Sequence, residues 1–311
     1  MFSASNDPRV VADGGQPGPP SRITATVMRR PTKPPANVTA LERGFAVLDC
    51  FARANGPLGN GDVAEATGIP RPTAYRLIST LVSLGQLRPC PDSDKYELAA
   101  GVVRLAQSFL GAIDARRLVR PHLVALAEAC GASAFLGLRD GPDILVVEAA
   151  RARSAVAFLG ADVGTRMSLA SSALGRAWLA GVDPITCATV SADTLRAGST
   201  VPPSRLEAAL RKARRLGYAA SLGEWHAQIN AVATPVQAPS GEVFAINCGG
   251  PSFLITPDKL HEVVIPRLLR AAADFAAEIG GISGLTLTSA TAPPAPAAAA
   301  TPRRRTAPSS V

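Results

Sequence analysis

The strongest constraint on this chain is a spacing between residues 60 and 85: a short amphipathic segment, a glycine four residues after a small side chain, and a second amphipathic segment. Ala64 is small where two helices have to approach closely, and Gly68 stands where the chain turns sharply between them, which is the spacing of a helix-turn-helix. The first segment carries Asn60 as an N-cap, Asp62 in the first turn and inward-pointing Val63 and Ala64, and Gly68 ends it. The second runs from about Pro72, a favoured first helical residue, to Gly85, with Ala74, Leu77, Ile78, Leu81 and Val82 on one stripe.

Flanking segments extend this unit. From Thr39 onward Leu41, Phe45, Leu48, Phe51 and Ala52 recur at helical spacing until Asn55-Gly56-Pro57 stops them. After Gly85 the period changes: Leu87 precedes Pro89, Pro91 to Asp94 read as a turn, and Tyr96 and Leu98 alternate with Lys95 and Glu97, so a small hairpin follows the third helix. Three helices and a hairpin in that order predict a winged helix-turn-helix. Arg71, Thr73, Tyr75, Arg76, Ser79 and Thr80 project away from the apolar stripe, beside Pro72, and suit the base edges and phosphates of a DNA major groove. Arg43 on the first helix and Arg88 and Lys95 on the hairpin add cations.

The formal charge of +8 does not itself argue for nucleic acid, because residues 1–36 carry +3 and the Arg303-Arg304-Arg305 end carries another +3, leaving +2 for the rest. Both tails are rich in Pro with Gly, Ser or Ala and read as disordered. The expected organisation is a basic tail at 1–36, a DNA-binding domain at 37–99, a linker and dimerisation helix at 100–114, a second domain at 115–282 and a disordered tail at 283–311. The linker helix, with Val102, Val103, Leu105, Phe109, Leu110 and Ile113, is too apolar to lie alone in water and is expected to bury part of itself against a second subunit.

In the second domain a helix from about Pro121 to Ala129 is followed by apolar runs at Ala134–Leu138, Ile144–Ala149, Ala155–Leu159, Ile229–Val236 and Val243–Asn247. Arg139 to Asp143 and Pro239-Ser240-Gly241 read as hairpin turns, and helical patterns fall at Ser172–Ala180, Pro203–Leu216 and Pro257–Ile279. Hairpins with helices grouped between them predict an α+β domain on a mostly antiparallel sheet. Ser171 or Ser172 can cap the helix of Ala173, Leu174, Gly175 and Trp178, and the free N–H groups of its first turn form a natural carboxylate site.

Other classes of function lack the residues they need. Five cysteines (Cys50, Cys90, Cys130, Cys187 and Cys248) without a C-x-x-C pair argue against a disulfide framework and fit a reducing, cytoplasmic setting. His122, His226 and His261 are scattered, so no metal is expected. No run of apolar residues is long enough to span a membrane and the N-terminus is no secretory signal. No nucleophile elbow, zincin or Walker pattern occurs, and Gly59 to Ala64 satisfies G-x-G-x-x-A without the preceding strand that a phosphate turn requires. Neither an enzyme nor a cofactor is therefore expected. The alternatives kept open are a DNA-binding protein governed by a protein partner and, behind it, a small-molecule enzyme.

The segments ATGIPRPTAYRLISTL and YELAAGVVRL, then RPHLVALAEACGASAFLGLRDGPDILVVEAA, MSLASSALGRAWLAG and INAVATPVQAPSGEVFAINCGG, make the chain resemble the IclR-type bacterial transcriptional regulators over residues 38–280. The resemblance implies a winged helix-turn-helix, a linker helix used in dimerisation, and a C-terminal domain related to GAF folds that binds a small metabolite, often a carboxylate. It implies a homodimer or homotetramer on double-stranded DNA at an inverted-repeat operator, and an effector that is a carboxylic or aromatic acid. By matching position, Ala173 and Leu174 offer backbone N–H groups near Ser172, and the strands containing Asn230 and Asn247 flank the effector. Asn247 and Gly249 stand at places that hold Ser in family members, and Ala231 at one often held by Cys. Trp225 and His226 are candidates for an aromatic wall and a polar contact, with a core role for Trp225 equally open. Arg166 is a candidate partner for an anion or simply a solvated loop residue.

Overall fold

A computed structural model describes residues 37–54, 56–153, 161–284 and 286–287. The 1–36 tail, the 283–311 tail from residue 288 onward and the apolar run Ala155–Leu159 lie outside the described residues; the start of the expected C-terminal tail is ordered, with Ser283 paired to Val236 in the sheet and Leu287 fully buried. The chain divides after Gly101 into two compact units.

The smaller unit contains α1 (Thr39–Arg53), β1 (Leu58–Gly59), α2 (Asn60–Thr67), α3 (Arg71–Ser83), β2 (Leu87–Pro89) and β3 (Lys95–Leu98). Its core joins Val47 and Phe51 of α1, Val63 of α2, Ile69, and Ala74, Ile78 and Leu81 of α3 to Leu87. Two expectations shift. Leu41 and Phe45 stay 60% exposed while Val47 takes the inward position, because a three-helix core this small covers only the second half of α1. Asn60 is the first helical residue, not the cap; Gly59 precedes it, and the Asp62 carboxylate accepts the Gly59 N–H at 2.9 Å, so the acid closes the first turn from inside the helix. Gly68 turns the chain at φ 68, a conformation that a side chain resists. The wing gains a strand: β1 pairs with β3, giving the order β1-β3-β2. A helix, α4 (Ala100–Gly111), follows, with Val103, Leu105 and Phe109 exposed.

The larger unit is built on an antiparallel sheet of seven strands among the described residues, in the order β10-β8-β9-β4-β5-β6 with β7 paired to β8. These are β4 (Ser133–Asp140), β5 (Asp143–Arg151), β6 (Arg166–Ser168), β7 (Ala219–Leu222), β8 (Ile229–Gln237), β9 (Val243–Pro251) and β10 (Ile282–Ser283). One face packs on α5 (Asp114–Cys130) and α10 (Ile265–Glu278), the latter preceded by α9 (Pro257–Lys259) and a π turn at Leu260–Val264. The other packs on α6 (Ala173–Gly181), α7 (Pro184–Arg196) and α8 (Pro203–Leu216). Alternation along β9 serves both layers: Val243 and Ala245 face α6, while Phe244, Ile246 and Cys248 face α5 and α10. The helix read from Pro121 begins seven residues earlier, at Asp114, with Pro121 inside it.

α6 lies unusually close to its surroundings. A Cβ on Gly137 would stand 2.5 Å from Leu174 Cδ2, and one on Gly175 would stand 2.4 Å from the Leu169 Cα. The second collision is with backbone, which cannot rotate away. Gly175→Ala is therefore expected to cost about 1–3 kcal/mol, seen as a lower denaturation midpoint; an unchanged midpoint would show that the loop before α6 yields freely.

Candidate nucleic-acid interface and ligand cavity

On α3 the buried stripe of Ala74, Ile78 and Leu81 fixes which residues face outward. Arg71, Pro72, Tyr75, Arg76, Ser79 and Thr80 are exposed and Thr73 is half-buried. At 100° per residue Pro72, Arg76 and Ser79 lie opposite the stripe, flanked by Tyr75 and Thr80. The structure refines several of these positions. The Thr80 hydroxyl donates back to the Arg76 carbonyl at 2.9 Å, leaving its oxygen as an acceptor. The Arg71 guanidinium lies over Gly61, its Nη2 3.4 Å from where a Cβ would be, so this arginine bridges α3 and the start of α2.

Arg43 is exposed on α1, and Lys95 is exposed at the wing. Arg88 faces Glu97 across the β2–β3 pair and binds it at 2.7 Å, so a phosphate at the wing has to compete with that carboxylate.

In the larger unit a cavity opens between the start of α6 and the sheet, lined by Phe135, Met167, Leu174, Trp225 and Leu254 among apolar groups. Ser133, Arg151, Ser172, Ser221 and Asn247 are its polar side chains, and Ala173, Ala231, Gly249 and Gly250 complete the wall. The free space is about 60 Å³, several times the roughly 10–15 Å³ that one water needs. Ser172 caps α6: its Oγ accepts the Gly175 N–H at 3.0 Å and donates to the Ser168 carbonyl at 2.7 Å. The N–H groups of Ala173 and Leu174, first in the helix, have no intrahelical acceptor and carry the positive end of the helix dipole.

Arg176, 2% exposed, holds this helix start in place. Its guanidinium donates to the Ala170 carbonyl at 2.7 Å, the Ala220 carbonyl at 3.2 Å, and both carboxylate oxygens of Glu224 at 3.0 and 2.8 Å. Arg205 adds a contact to Glu224 at 3.1 Å. The Arg176 hydrogen bond holds the Glu224 carboxyl below its usual range against the opposing effect of burial. One buried cation thus ties the loop before α6 to β7 and to the segment carrying Trp225.

Of the residues expected at the effector, Ser172, Ala173, Leu174, Trp225, Ala231, Asn247 and Gly249 share this cavity. Asn230 does not line it. Its amide donates to the Ile255 carbonyl at 2.9 Å, on the opposite side of β8 from Ala231, as strand alternation demands. His226 is also absent from the wall, and Arg166 is held by Asp140 and Asp143 at 3.5 and 3.3 Å on the β4–β5 turn. Trp225 combines both of its readings, packing partly buried against the core while lining the cavity. Leu174 lines the cavity while its side chain packs against Gly137. Sequence reasoning missed Arg151, the cation on the wall, which donates to the Ala161 carbonyl at 2.7 Å and pairs with Asp162 at 3.1 Å. Its place opposite Ser133 and Gly249 follows from register, a long-range property no local pattern carries.

Among the described residues no group of three or more His, Cys, Asp and Glu converges as a metal site, and no helix is long and apolar enough to cross a membrane.

Residues 40–90 match the model of the IclR helix-turn-helix domain, and residues 107–277 that of the bacterial transcriptional regulator IclR C-terminal domain. The chain is 31% identical over 248 residues to the HTH-type transcriptional regulator TsaQ1/TsaQ2 of Comamonas testosteroni, covering 78% of this chain and 88% of that relative. It is 26% identical to the Pca regulon regulatory protein of Pseudomonas putida, over 90% of this chain and 94% of the relative. A crystal structure of an IclR family transcriptional regulator from Brucella abortus superposes with a TM-score of 0.70 at 32% identity, covering 81% of this chain and 97% of the other.

Proposed function

Because the chain belongs to the IclR family of bacterial transcriptional regulators, we propose that it is a cytoplasmic homodimer or homotetramer that reads an inverted-repeat operator through paired α3 helices, with an affinity set by a small carboxylic or aromatic acid. The observation that carries the effector reading is the cavity at the start of α6, where two free N–H groups meet apolar walls and a buried amide. Such a helix start favours an anion. The exposed Pro72, Tyr75, Arg76, Ser79 and Thr80 supply base and phosphate contacts, with Arg43, Lys95 and Arg88 on the backbone. The apolar side of α4, with Val103, Leu105 and Phe109, suits packing against a second copy.

An effector that binds one arrangement of the chain better than another shifts the operator equilibrium by that difference, typically about 1–3 kcal/mol.

The test is a mobility shift with the intergenic DNA beside the protein's own gene, against random competitor, with a panel of carboxylic acids. Retention modulated by an acid supports the reading; specific retention that no acid alters favours control by a protein partner, and no preference over random DNA overturns both. Ala173→Pro sharpens it. Proline suits the first helical position, and Ser172 at φ -81, ψ 149 already has the extended backbone that a following proline requires. The variant should fold and lose about tenfold in acid affinity through one missing charge-assisted hydrogen bond; unaltered affinity places the carboxylate elsewhere.

A further inference from the structure

Among the polar side chains of the cavity wall, one atom is sealed from solvent without a partner among the described residues. Ser172 and Ser221 both donate and accept within the protein, and Arg151 is held by Ala161 and Asp162. Asn247 differs. It is 4% exposed, lines the cavity, and its Oδ1 is sealed from solvent without a donor among the described residues. Its neighbours across the sheet are Phe135 and Ala233, neither of which has a side-chain donor. The next position along β9 cannot supply one either, since a Cβ on Gly249 would lie 2.5 Å from the Ala231 Cβ and 2.6 Å from the Asn230 carbonyl. A buried acceptor without a partner is costly, and native structures rarely keep one unless something else pairs with it.

Resting on the cavity as the effector site, we propose that the effector is a monocarboxylic acid bearing a hydroxyl, and that Asn247 is the residue that reads this hydroxyl. A hydroxyl donates to Oδ1 and can accept from the amide nitrogen. A second carboxylate only accepts, so it leaves Oδ1 unpaired and brings a charge against the apolar Phe135 and Ala231, while the cation on the wall, Arg151, is already held by Asp162. An unsubstituted acid leaves Oδ1 as it is. The order of affinity is therefore hydroxy acid, then plain acid, then diacid, with at least a tenfold step from the first to the second.

The experiment is calorimetric titration of the full chain with two matched sets: benzoate, 3- and 4-hydroxybenzoate, isophthalate and terephthalate; and butyrate, 4-hydroxybutyrate and succinate. A hydroxylated member is expected to bind at least tenfold more tightly than its parent. In Asn247→Leu, similar in volume and without polar atoms, that ratio should fall to about one, and in Asn247→Ser, which restores a hydrogen-bonding group, it should partly return. Equal binding of hydroxylated and plain acids, tightest binding of a diacid, or a preference that survives Asn247→Leu would overturn the inference and leave the effector cavity standing. If no acid of either set binds the wild-type chain, the cavity reading itself is overturned, and this inference with it.

Discussion

Arg176→Ala is expected to destabilise the larger unit by about 3–5 kcal/mol, the usual consequence of removing one partner from a buried, hydrogen-bonded ion pair. The loss strands the Glu224 carboxylate beside Arg205 and leaves the Ala170 and Ala220 carbonyls without their donor. Arg176→Lys should recover only part of it, because an ammonium cannot span a carboxylate and two carbonyls in one plane. Chemical denaturation measures both, and a loss below about 1 kcal/mol would mean that water replaces the guanidinium. The pair also sets an acid limit. Glu224 has a folded-state pKa below its ordinary value of 4.5, chiefly through the Arg176 hydrogen bond. Its contribution to stability is complete above the unfolded value and disappears as pH falls through the folded one. Glu224→Gln should consequently flatten the stability profile on the acid side of pH 4.5, and a profile as steep as the wild type would assign the acid loss to other carboxylates.

Arg76→Ala should weaken operator binding by about 1–3 kcal/mol for each half-site whose base it reads, with discrimination lost at one position of that half-site. Arg76 is exposed on the ridge opposite the α3 stripe, so stability should change by no more than about 0.5 kcal/mol. Titrations on operator and on random DNA separate the possibilities: an equal loss on both reduces Arg76 to a phosphate contact.

The elements most legible in the sequence were those with strong local punctuation. α8 begins at Pro203 and ends before Gly217, the limits its pattern predicts; β8 and β9 begin where their apolar runs do and are bracketed by alternation and a glycine turn, with β8 ending one residue and β9 four residues beyond the expected run. α7 went unread although Asp183-Pro184 announces its start, since Ile185, Thr186, Thr189 and Val190 are β-branched and its periodicity is weak. β1, β6, β7 and β10 are two to four residues long, and such strands exist through their partners. In the cavity, Ser172 and the α6 backbone follow from a local cap and were accessible. The Asn230 side chain was excludable from the same sequence, because side chains of adjacent strand residues point to opposite faces and Ala231 takes the cavity side. Arg176 also left a trace, as the lone cation in an otherwise apolar ALGRAWLAG helix, but its partner Glu224 lies far along the chain and only the fold reveals it.

The central pairing of the larger sheet joins β4 to β9, with Phe135 opposite Asn247, partners about 110 residues apart whose meeting carries a large loop-closure entropy and slows folding. The β4–β5 and β8–β9 hairpins are each local and can form on their own. Their union is expected to be the slower step of folding, and it brings Arg151, Ser133 and Gly249 into one row. On a ribosome the helix-turn-helix, complete by residue 98, emerges and can fold well before that row exists, so a newborn chain acquires its DNA-binding fold before the cavity proposed for the effector.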